Sequence, residues 1–401
     1  MVYDYIIKNG KMIDFETKET YVGDLYIKDG IIVAPVSDEE AHAKRLVNAA
    51  GKYVVPGLID EHAHWNYEAS NLGADADMVC PGACVTTSVD AGSSGAANFE
   101  QFYRQNIMRY TTDVRAYLHV SSFGVKAACA HEEEHDPADI QEEEIIRLFD
   151  KYPEVLRGIK VRYSIHTMGT YGFEPIKKAV ELADKINGRG HHCHVAVHCA
   201  ELPENMDFEG LLNCLRPGDI YTHLYQNLGP TIFDKTGKVR ECIKEARKRG
   251  VVFSTGNGAM HWNYPNYESA FKDGFYPDII SSDVVRYNKF LRPGFSLTYP
   301  MCTTMIAGMN EIDILKAVTY TPAEKLGLLN EIGTLKEGTR ADVAIMDIID
   351  AEVPFRDRFG NERISERIFV PLMTIKSGEA VFRQVFFGGG YDFDVTLENY
   401  V

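Results

Sequence analysis

Residues 54–64 read Val54-Val55-Pro56-Gly57-Leu58-Ile59-Asp60-Glu61-His62-Ala63-His64, an apolar run that ends in two histidines one residue apart. In a β-strand, residues i and i+2 point to the same face, so His62 and His64 can reach one metal ion from the end of one strand. Imidazole nitrogen is a good ligand for zinc and its first-row neighbours. Because two structural histidines would give the same pattern, the rest of the chain must decide between the two interpretations.

Short apolar or β-branched runs continue along the chain and alternate with helical patterns. Eight such runs predict a parallel (β/α)8 barrel: 54–62, 85–91, 114–121, 156–163, 194–199, 219–223, 251–255 and 278–282. Helices are predicted between and after them, at 99–110, 141–151, 174–185, 238–249, 298–309 and 311–319. A doubly wound open sheet is the alternative, but no Gly-x-Gly-x-x-Gly motif follows a strand to support it.

Both ends of the chain have strand and turn character. Asn9-Gly10 and Asp29-Gly30 are hairpin signals in the first segment, and strand patterns return from Gly333 onward. We therefore predict a small β-sandwich built from residues 1–53 and 331–401, beside a barrel domain of residues 54–330.

Composition excludes several classes of protein. The 401 residues carry a net charge of −16, which argues against a general nucleic-acid or anionic-membrane binder. The sequence contains no run of about 18 apolar residues, so no membrane span is predicted. The N-terminus lacks a signal-peptide pattern. Eight scattered cysteines without a Cys-x-x-Cys pair are typical of reduced thiols in the cytoplasm.

Titratable residues stand where the apolar runs end, which is where a parallel barrel places its chemistry. Core packing would not require titratable side chains at these positions. Six such residues occupy equivalent positions at the ends of five of the eight predicted strands. They are His62, His64, Lys160, His198, His223 and Asp283.

In these six residues the chain resembles the amidohydrolase superfamily. The resemblance extends to Pro56-Gly57-Leu58-Ile59-Asp60 and to the late stretches Gly333-Thr334-Leu335 and Ala341-Asp342. The resemblance implies a binuclear centre with two divalent ions, most commonly zinc. One ion would be bound by His62, His64 and Asp283, and the other by His198 and His223. Lys160, carboxylated on its side-chain nitrogen, would bridge both together with a hydroxide.

More narrowly, the chain is similar to the deacetylase branch often labelled dihydroorotase-like. The matching stretches are Ser88-Val89-Asp90-Ala91-Gly92-Ser93 with Ala97-Asn98-Phe99, Gly158-Ile159-Lys160-Val161-Arg162, and Gly218-Asp219-Ile220-Tyr221-Thr222-His223. That branch implies hydrolysis of an amide or ester of a small acylated acid. A homo-oligomer is expected by analogy with the family alone.

Elementary chemistry agrees with a modified lysine. An ordinary lysine is a cation at neutral pH and would repel a metal, so Lys160 suits the site only when neutralised or converted to an anion. Two metals lower the pKa of a bound water and polarise a carbonyl. Asp283 is then placed to take the proton of the attacking water and to return it to the leaving atom.

Substrate contacts are predicted on the loops after the strands. Arg162 shares the parity of Lys160 and is a candidate for a substrate carboxylate, although a structural ion pair explains it equally well. The other candidates are His166, Asn257, His261, Arg286 and Arg292. This branch commonly has a histidine after the seventh strand, where the present chain has Gly256-Asn257-Gly258.

The remaining histidines are interpreted as structural. His191, His192 and His194 are expected on the surface or in a turn at the opposite end of the barrel, and His42 and His119 are expected to be structural as well. The stretch 131–137, with His131 and His135, is predicted to be a solvated acidic loop.

Three other functions stay open at this point. A cyclic-amide hydrolase of the dihydroorotase or dihydropyrimidinase type would use the same metals. A mononuclear purine or pyrimidine deaminase is suggested by His198-Cys199-Ala200-Glu201, although a one-metal site needs no bridging lysine. A non-catalytic assembly protein would be expected to lack ligands, and none is missing here.

Overall fold

The computed structural model describes residues 2–36, 42–125, 133, 135–289 and 295–387. Two residues considered above, His131 and Arg292, lie outside the described residues.

One mixed sheet combines strands from both ends of the chain. Its strands are β1 Val2–Ile13, β2 Thr20–Lys28, β3 Ile31–Val33, β4 His42–Asn48, β5 Tyr53–Pro56, β13 Val343–Arg356, β14 Glu362–Lys376 and β15 Glu379–Arg383. Within the described residues the order is β15-β14-β13-β5-β1-β2-β3, with β4 paired to β1. These pairings establish a single sheet made by both ends, and the two-layered sandwich stays a prediction.

The two hairpin signals have different outcomes. Asp29 and Gly30, with φ of 51° and 78°, form the tight turn between β2 and β3, which pair antiparallel. The Asn9-Gly10 prediction is wrong, because β1 continues through it and its register against β2 shifts between Ile7 and Gly10. Asn9 has a φ of 60°, so the left-handed residue makes a β-bulge here instead of a turn.

The run at 54–62 is shared between the two sheets, which corrects its assignment to one barrel strand. β5 pairs with β13 in the terminal sheet, and the first barrel strand begins only at Leu58. Gly57 separates them, and a Cβ there would lie 2.1 Å from Thr86 Oγ1. The chain therefore passes from one sheet to the other at a residue that must be glycine.

A parallel sheet forms the central part of the molecule. Its seven strands in the described chain are β6 Leu58–Ala63, β7 Val85–Gly95, β8 Asp113–His119, β9 Leu156–Tyr163, β10 His194–Cys199, β11 Ile220–Thr222 and β12 Val252–Ser254. The predicted eighth strand is not regular, but isolated parallel bridges join Ile279 to Ser254 and Val284 to Ala63. Residues 279–284 thus connect the two edges of the sheet, as expected of a barrel.

Helices follow the strands, with bounds α1 Ala76–Val79, α2 Phe99–Gln105, α3 Glu142–Lys151, α4 Glu174–Gly188, α5 Phe208–Asn213, α6 Glu241–Lys248, α7 Tyr264–Lys272, α8 Thr298–Ile306, α9 Glu311–Ala317 and α10 Tyr320–Lys325. Single 3₁₀ turns lie at Pro81–Ala83, Ile107–Arg109 and Pro137–Asp139. The predicted helix at 99–110 is therefore shorter and ends in a 3₁₀ turn. In the described ranges, no helix is long and apolar enough to cross a membrane.

The helices pack on the sheet through one apolar face. In α4, the spacing of Ile176, Ala179, Leu182 and Ile186 places these side chains on one side, and all are fully buried. Burying each large apolar side chain contributes about 1.5–3 kcal/mol. This packing gives the rigid frame on which the strand ends, and the side chains that follow them, are held.

Candidate metal centre

The six residues predicted at the strand ends meet at one mouth of the barrel. His62 lies in β6, Lys160 in β9 and His198 in β10. His64 follows directly after β6, and His223 directly after β11. Asp283 lies within the bridging segment 279–284. All six are at most 6% exposed. Parallel strands bring their carboxyl ends together, which is why residues 221 positions apart share one site.

His62, His64 and Asp283 form the first group. Asp283 Oδ1 lies 3.6 Å from His62 Nε2 and 3.4 Å from His64 Nε2. Lys160 Nζ lies 3.4 Å from His62 Nε2. Two imidazole nitrogens and one carboxylate oxygen around one point are a donor set that suits zinc and similar divalent ions.

His198 and His223 form the second group. His198 Nδ1 and His223 Nε2 are 2.7 Å apart, and His223 Nδ1 donates to the carbonyl of Gly256 at 2.7 Å. This backbone contact fixes the tautomer in which His223 Nε2 presents its lone pair. The rings of His62 and His223 are 5.2 Å apart, so the two groups adjoin.

Burial keeps these histidines neutral. It lowers the pKa of His62, His198 and His223 well below the usual value, and positive neighbours lower the pKa further. Burial would raise the pKa of Asp283, but hydrogen bonds from His261 and His64 hold that pKa well below the usual value. Neutral imidazoles beside an ionised carboxylate are the protonation states that metal ligands require, so the residues fit divalent cations.

The buried amine of Lys160 is also perturbed. Burial lowers the pKa of Lys160 to about 8, against the opposing effect of the Asp283 and Glu61 carboxylates. A larger fraction of the amine is therefore unprotonated near neutral pH than in an ordinary lysine.

Two of the six residues have unusual backbone conformations. His223 has a φ of 71° and Asp283 a φ of 50°, in the left-handed region that non-glycine residues seldom occupy. Each such residue costs about 1–3 kcal/mol, and this cost is typical of functional sites held by the surrounding fold.

Further polar groups support the ligands, and sequence reasoning did not assign them a role. Ser93 Oγ lies 2.9 Å from His64 Nδ1, and the Asp90 carboxylate accepts from the backbone N–H of Ser93 at 2.7 Å. The Asp60 carboxylate accepts from the Ser282 backbone N–H at 2.9 Å. Asp60, Asp90 and Ser93 belong to the stretches that carry the family resemblance. Their burial, which points to a supporting role, is visible only in the structure.

Gly92 gives a testable measure of how tightly Lys160 is packed. Its φ is 87°, and a Cβ there would lie 2.9 Å from Lys160 Cβ and Cγ. Gly92→Ala is therefore expected to lower the free energy of unfolding by about 2–5 kcal/mol, through backbone strain and crowding together. Gly51→Ala is the matched control, since Gly51 has a φ of 75° and open space around it. The control should lose only about 1–2 kcal/mol, and equal losses in urea unfolding would contradict tight packing at Lys160.

Three of the predicted substrate contacts, His261, Arg286 and His166, have different surroundings. His261 lies at the centre, with Nδ1 3.2 Å from Asp283 Oδ2. Arg286 is exposed and lies over the ring of Tyr67 at 5.8 Å. His166 is 63% exposed, with Nε2 3.8 Å from a carboxylate oxygen of Glu201.

Arg162 and Asn257 already have protein partners. Arg162 forms an ion pair with Glu133 at 2.8 Å and lies 3.6 Å from Glu201, which favours the structural-ion-pair interpretation over contact with a substrate carboxylate. Asn257 is fully buried and accepts a hydrogen bond from the Tyr267 hydroxyl at 2.7 Å. Its side chain therefore holds the loop after β12 instead of facing a ligand.

The acidic loop is not fully solvated, which corrects the prediction for two of its residues. The side chains of Glu133 and His135 are 5% and 1% exposed, and Glu133 Oε1 lies 3.3 Å from His119 Nε2 and 3.6 Å from His135 Nε2. Arg162 supplies the counter-charge that allows Glu133 to be buried. A contact between residues 29 positions apart, in a loop and a strand, could not be predicted from their spacing.

The cluster before β10 is also more buried than predicted. His194 is only 5% exposed and is the first residue of β10, so its assignment to the surface or a turn is wrong. His191 pairs with Asp150 at 2.7 Å, and His192 Nε2 lies 2.8 Å from the carbonyl of Lys325. All three precede His198 in the chain, at the end of β10 opposite the mouth, while His42 is exposed.

The fold and the site together define a class of protein: parallel α/β barrels with a histidine-rich mouth suited to divalent metals. Residues 53–381 match the model of the Amidohydrolase family. A protein named "Deacetylase" from Enterococcus faecalis is 30% identical over 382 residues, covering 94% of this chain and 99% of its own.

Two solved structures are similar over nearly their whole length. One, described as an adenine deaminase, has a TM-score of 0.83 at 26% identity and covers 95% of this chain and 100% of its own. The other, described as a dihydroorotase, has a TM-score of 0.80 at 26% identity and covers 94% and 98%.

The chain belongs to the amidohydrolase family, which confirms the predicted class of metal-binding hydrolase and its deacetylase-like character.

Proposed function

We propose that this protein is a binuclear metal-dependent hydrolase that cleaves the amide or ester bond of a small acylated carboxylic acid. The observation that carries the proposal is the convergence of four buried histidines, Asp283 and Lys160 at the barrel mouth. The named deacetylase, matched over 99% of its length, supports the acyl substrate.

His62, His64 and Asp283 would bind one ion, and His198 and His223 the other, with zinc as the proposed metal. Lys160, carboxylated on Nζ, would bridge them, and its lowered pKa supports reaction of the free amine with carbon dioxide. When bound, the ions would activate a water molecule and polarise the substrate carbonyl.

Asp283 has the position to move the proton. Its Oδ1 faces the two histidines of the first group, while its Oδ2 lies 3.2 Å from His261 Nδ1. Asp283 would take a proton from the attacking water and deliver it to the leaving nitrogen or oxygen as the acyl bond breaks. The hydrogen bond from His261 holds the carboxylate in place during both transfers.

The surroundings of the centre also bear on specificity. Because Arg162 is paired with Glu133, Arg286 is the better candidate for the substrate carboxylate: among the described residues, its guanidinium has no carboxylate within ion-pair distance in the structure. Because β5 (Tyr53–Pro56) belongs to the terminal sheet, we further propose domain boundaries at 56/57, in place of the predicted 53/54, and at 330/331. A two-layered terminal domain, a cytoplasmic location and a homo-oligomeric state are also proposed.

Two other reactions stay as alternatives. A cyclic-amide hydrolase would use the same residues, as the similarity to a dihydroorotase structure suggests. A mononuclear deaminase is favoured by the structure described as an adenine deaminase and by the His198-Cys199-Ala200-Glu201 spacing, but Glu201 is engaged by Arg162 and His166.

The test combines metal analysis, native mass measurement and a substrate screen. Protein produced with ample zinc is expected to hold about two ions per chain and to carry the added mass of carbon dioxide on Lys160. It should release acetate from one enantiomer of an N-acetyl or O-acetyl acid. Absence of bound metal would contradict the proposal. One ion, an unmodified lysine and ammonia released from a purine would favour the deaminase instead.

A further inference from the structure

Glu61 is a fully buried carboxylate between Asp60 and the ligand His62. The Tyr117 hydroxyl donates to its Oε1 and the Ser254 hydroxyl to its Oε2, each at 2.8 Å. These donors lie on β8 and β12, on either side of β6 across the barrel. A buried carboxyl group with both oxygens hydrogen-bonded is held in a fixed position beneath the mouth.

The contact with Ser254 continues toward the second pair of histidines. Ser254 Oγ and Ser281 Oγ are 2.8 Å apart, and Ser281 Oγ accepts from the backbone N–H of Gly256 at 3.0 Å. Since the Ser254 proton points to Glu61, Ser281 must donate to Ser254. The three hydrogen bonds therefore run in one direction, from Gly256 to Glu61, and such aligned chains strengthen one another.

Gly256 is the residue that orients His223. Its carbonyl accepts from His223 Nδ1 at 2.7 Å. Its φ is 47°, and a Cβ there would lie 2.8 Å from His223 Nδ1. The position of this backbone thus sets both the tautomer and the orientation of the imidazole.

We propose that Glu61 is a positioning residue for the second metal: through Ser254 and Ser281 it anchors Gly256, which holds His223 with Nε2 directed at His198 Nδ1. This inference rests on the proposed binuclear function. It assigns the Glu61 carboxylate a role distinct from that of the ligands, because it acts through a hydrogen-bonded chain and not by coordination.

Ser281→Ala is the test, because it removes one hydroxyl from the middle of the chain. The backbone of Ser281 stays held by Thr255, whose Oγ1 contacts its N and O at 2.9 Å. Zinc would be titrated against a competing chelator with wild type and variant. Loss of an outer hydrogen-bond partner lowers metal affinity by about 10–100-fold, so one of the two ions should bind about 10–100-fold more weakly, and the other as in wild type.

Two further variants separate positioning from general damage. Ser365→Ala removes a buried hydroxyl in the terminal sheet and should leave both affinities unchanged. Tyr117→Phe removes the other partner of Glu61 and leaves the Ser254–Ser281–Gly256 chain intact, so it should weaken the second ion less than Ser281→Ala does. Cobalt substitution gives an independent readout, because the absorption of only one of the two ions should change.

The outcomes are distinct. Equal weakening of both ions, or wild-type affinity for both, would overturn the positioning role, and Ser254→Ala decides the matter if Ser281→Ala does not fold. A wild-type protein that binds no divalent ion would instead overturn the proposed function itself, together with this inference.

Discussion

Asp283→Asn is expected to lower kcat by about 10²–10⁴-fold, the contribution that a positioned acid–base group makes. The asparagine amide keeps the size of the side chain but cannot accept and return a proton. Initial rates would be measured on the best substrate from the acyl-acid screen, with the metal content of each preparation determined in parallel.

The metal content is needed because Asp283 is also a proposed ligand. Comparison of the rates of wild type and variant at equal metal occupancy separates loss of the proton carrier from loss of a metal ion. Asp278→Asn is the matched control: Asp278 lies in the same part of the chain and accepts from the backbone N–H of Phe253, away from the mouth, so its kcat should match wild type. A kcat for Asp283→Asn within about threefold of wild type would exclude Asp283 as the proton carrier.

Lys160→Ala is expected to reduce the bound metal below two ions per chain and to lower kcat/KM by about 10³-fold. Charge stabilisation by metal ions contributes several kcal/mol, and about 1.4 kcal/mol corresponds to a tenfold change in rate. Alanine cannot form a carbamate, so the proposed bridge between the ions is lost.

A second buried lysine provides the control. Lys376 is 8% exposed and pairs with Asp342 in the terminal sheet at 2.9 Å. Lys376→Ala should lower Tm, because it leaves a buried carboxylate with one partner fewer, and should keep the metal content of wild type. Full activity of Lys160→Ala with ammonia release would favour the mononuclear deaminase.

The six residues at the mouth could be predicted because their signal is local. Each follows an apolar run, and parallel topology alone brings the ends of such runs together. The same reasoning placed Asp283 correctly but predicted a regular strand at 278–282. In the structure, Ser281, Ser282 and Asp283 use their polar groups on neighbouring loops and strands in place of a regular ladder.

The sequence by itself determined the alternation of strands and helices, the family and the candidate ligands, because periodicity and strand ends are properties of short stretches. Tertiary structure alone decided which partners those residues have. Glu133 reaches Arg162 from another loop, Glu61 reaches Ser254 across the barrel, and residues 54–56 join the terminal sheet. Contacts of this kind depend on distances between elements far apart in the chain, and no local pattern of residue types encodes them.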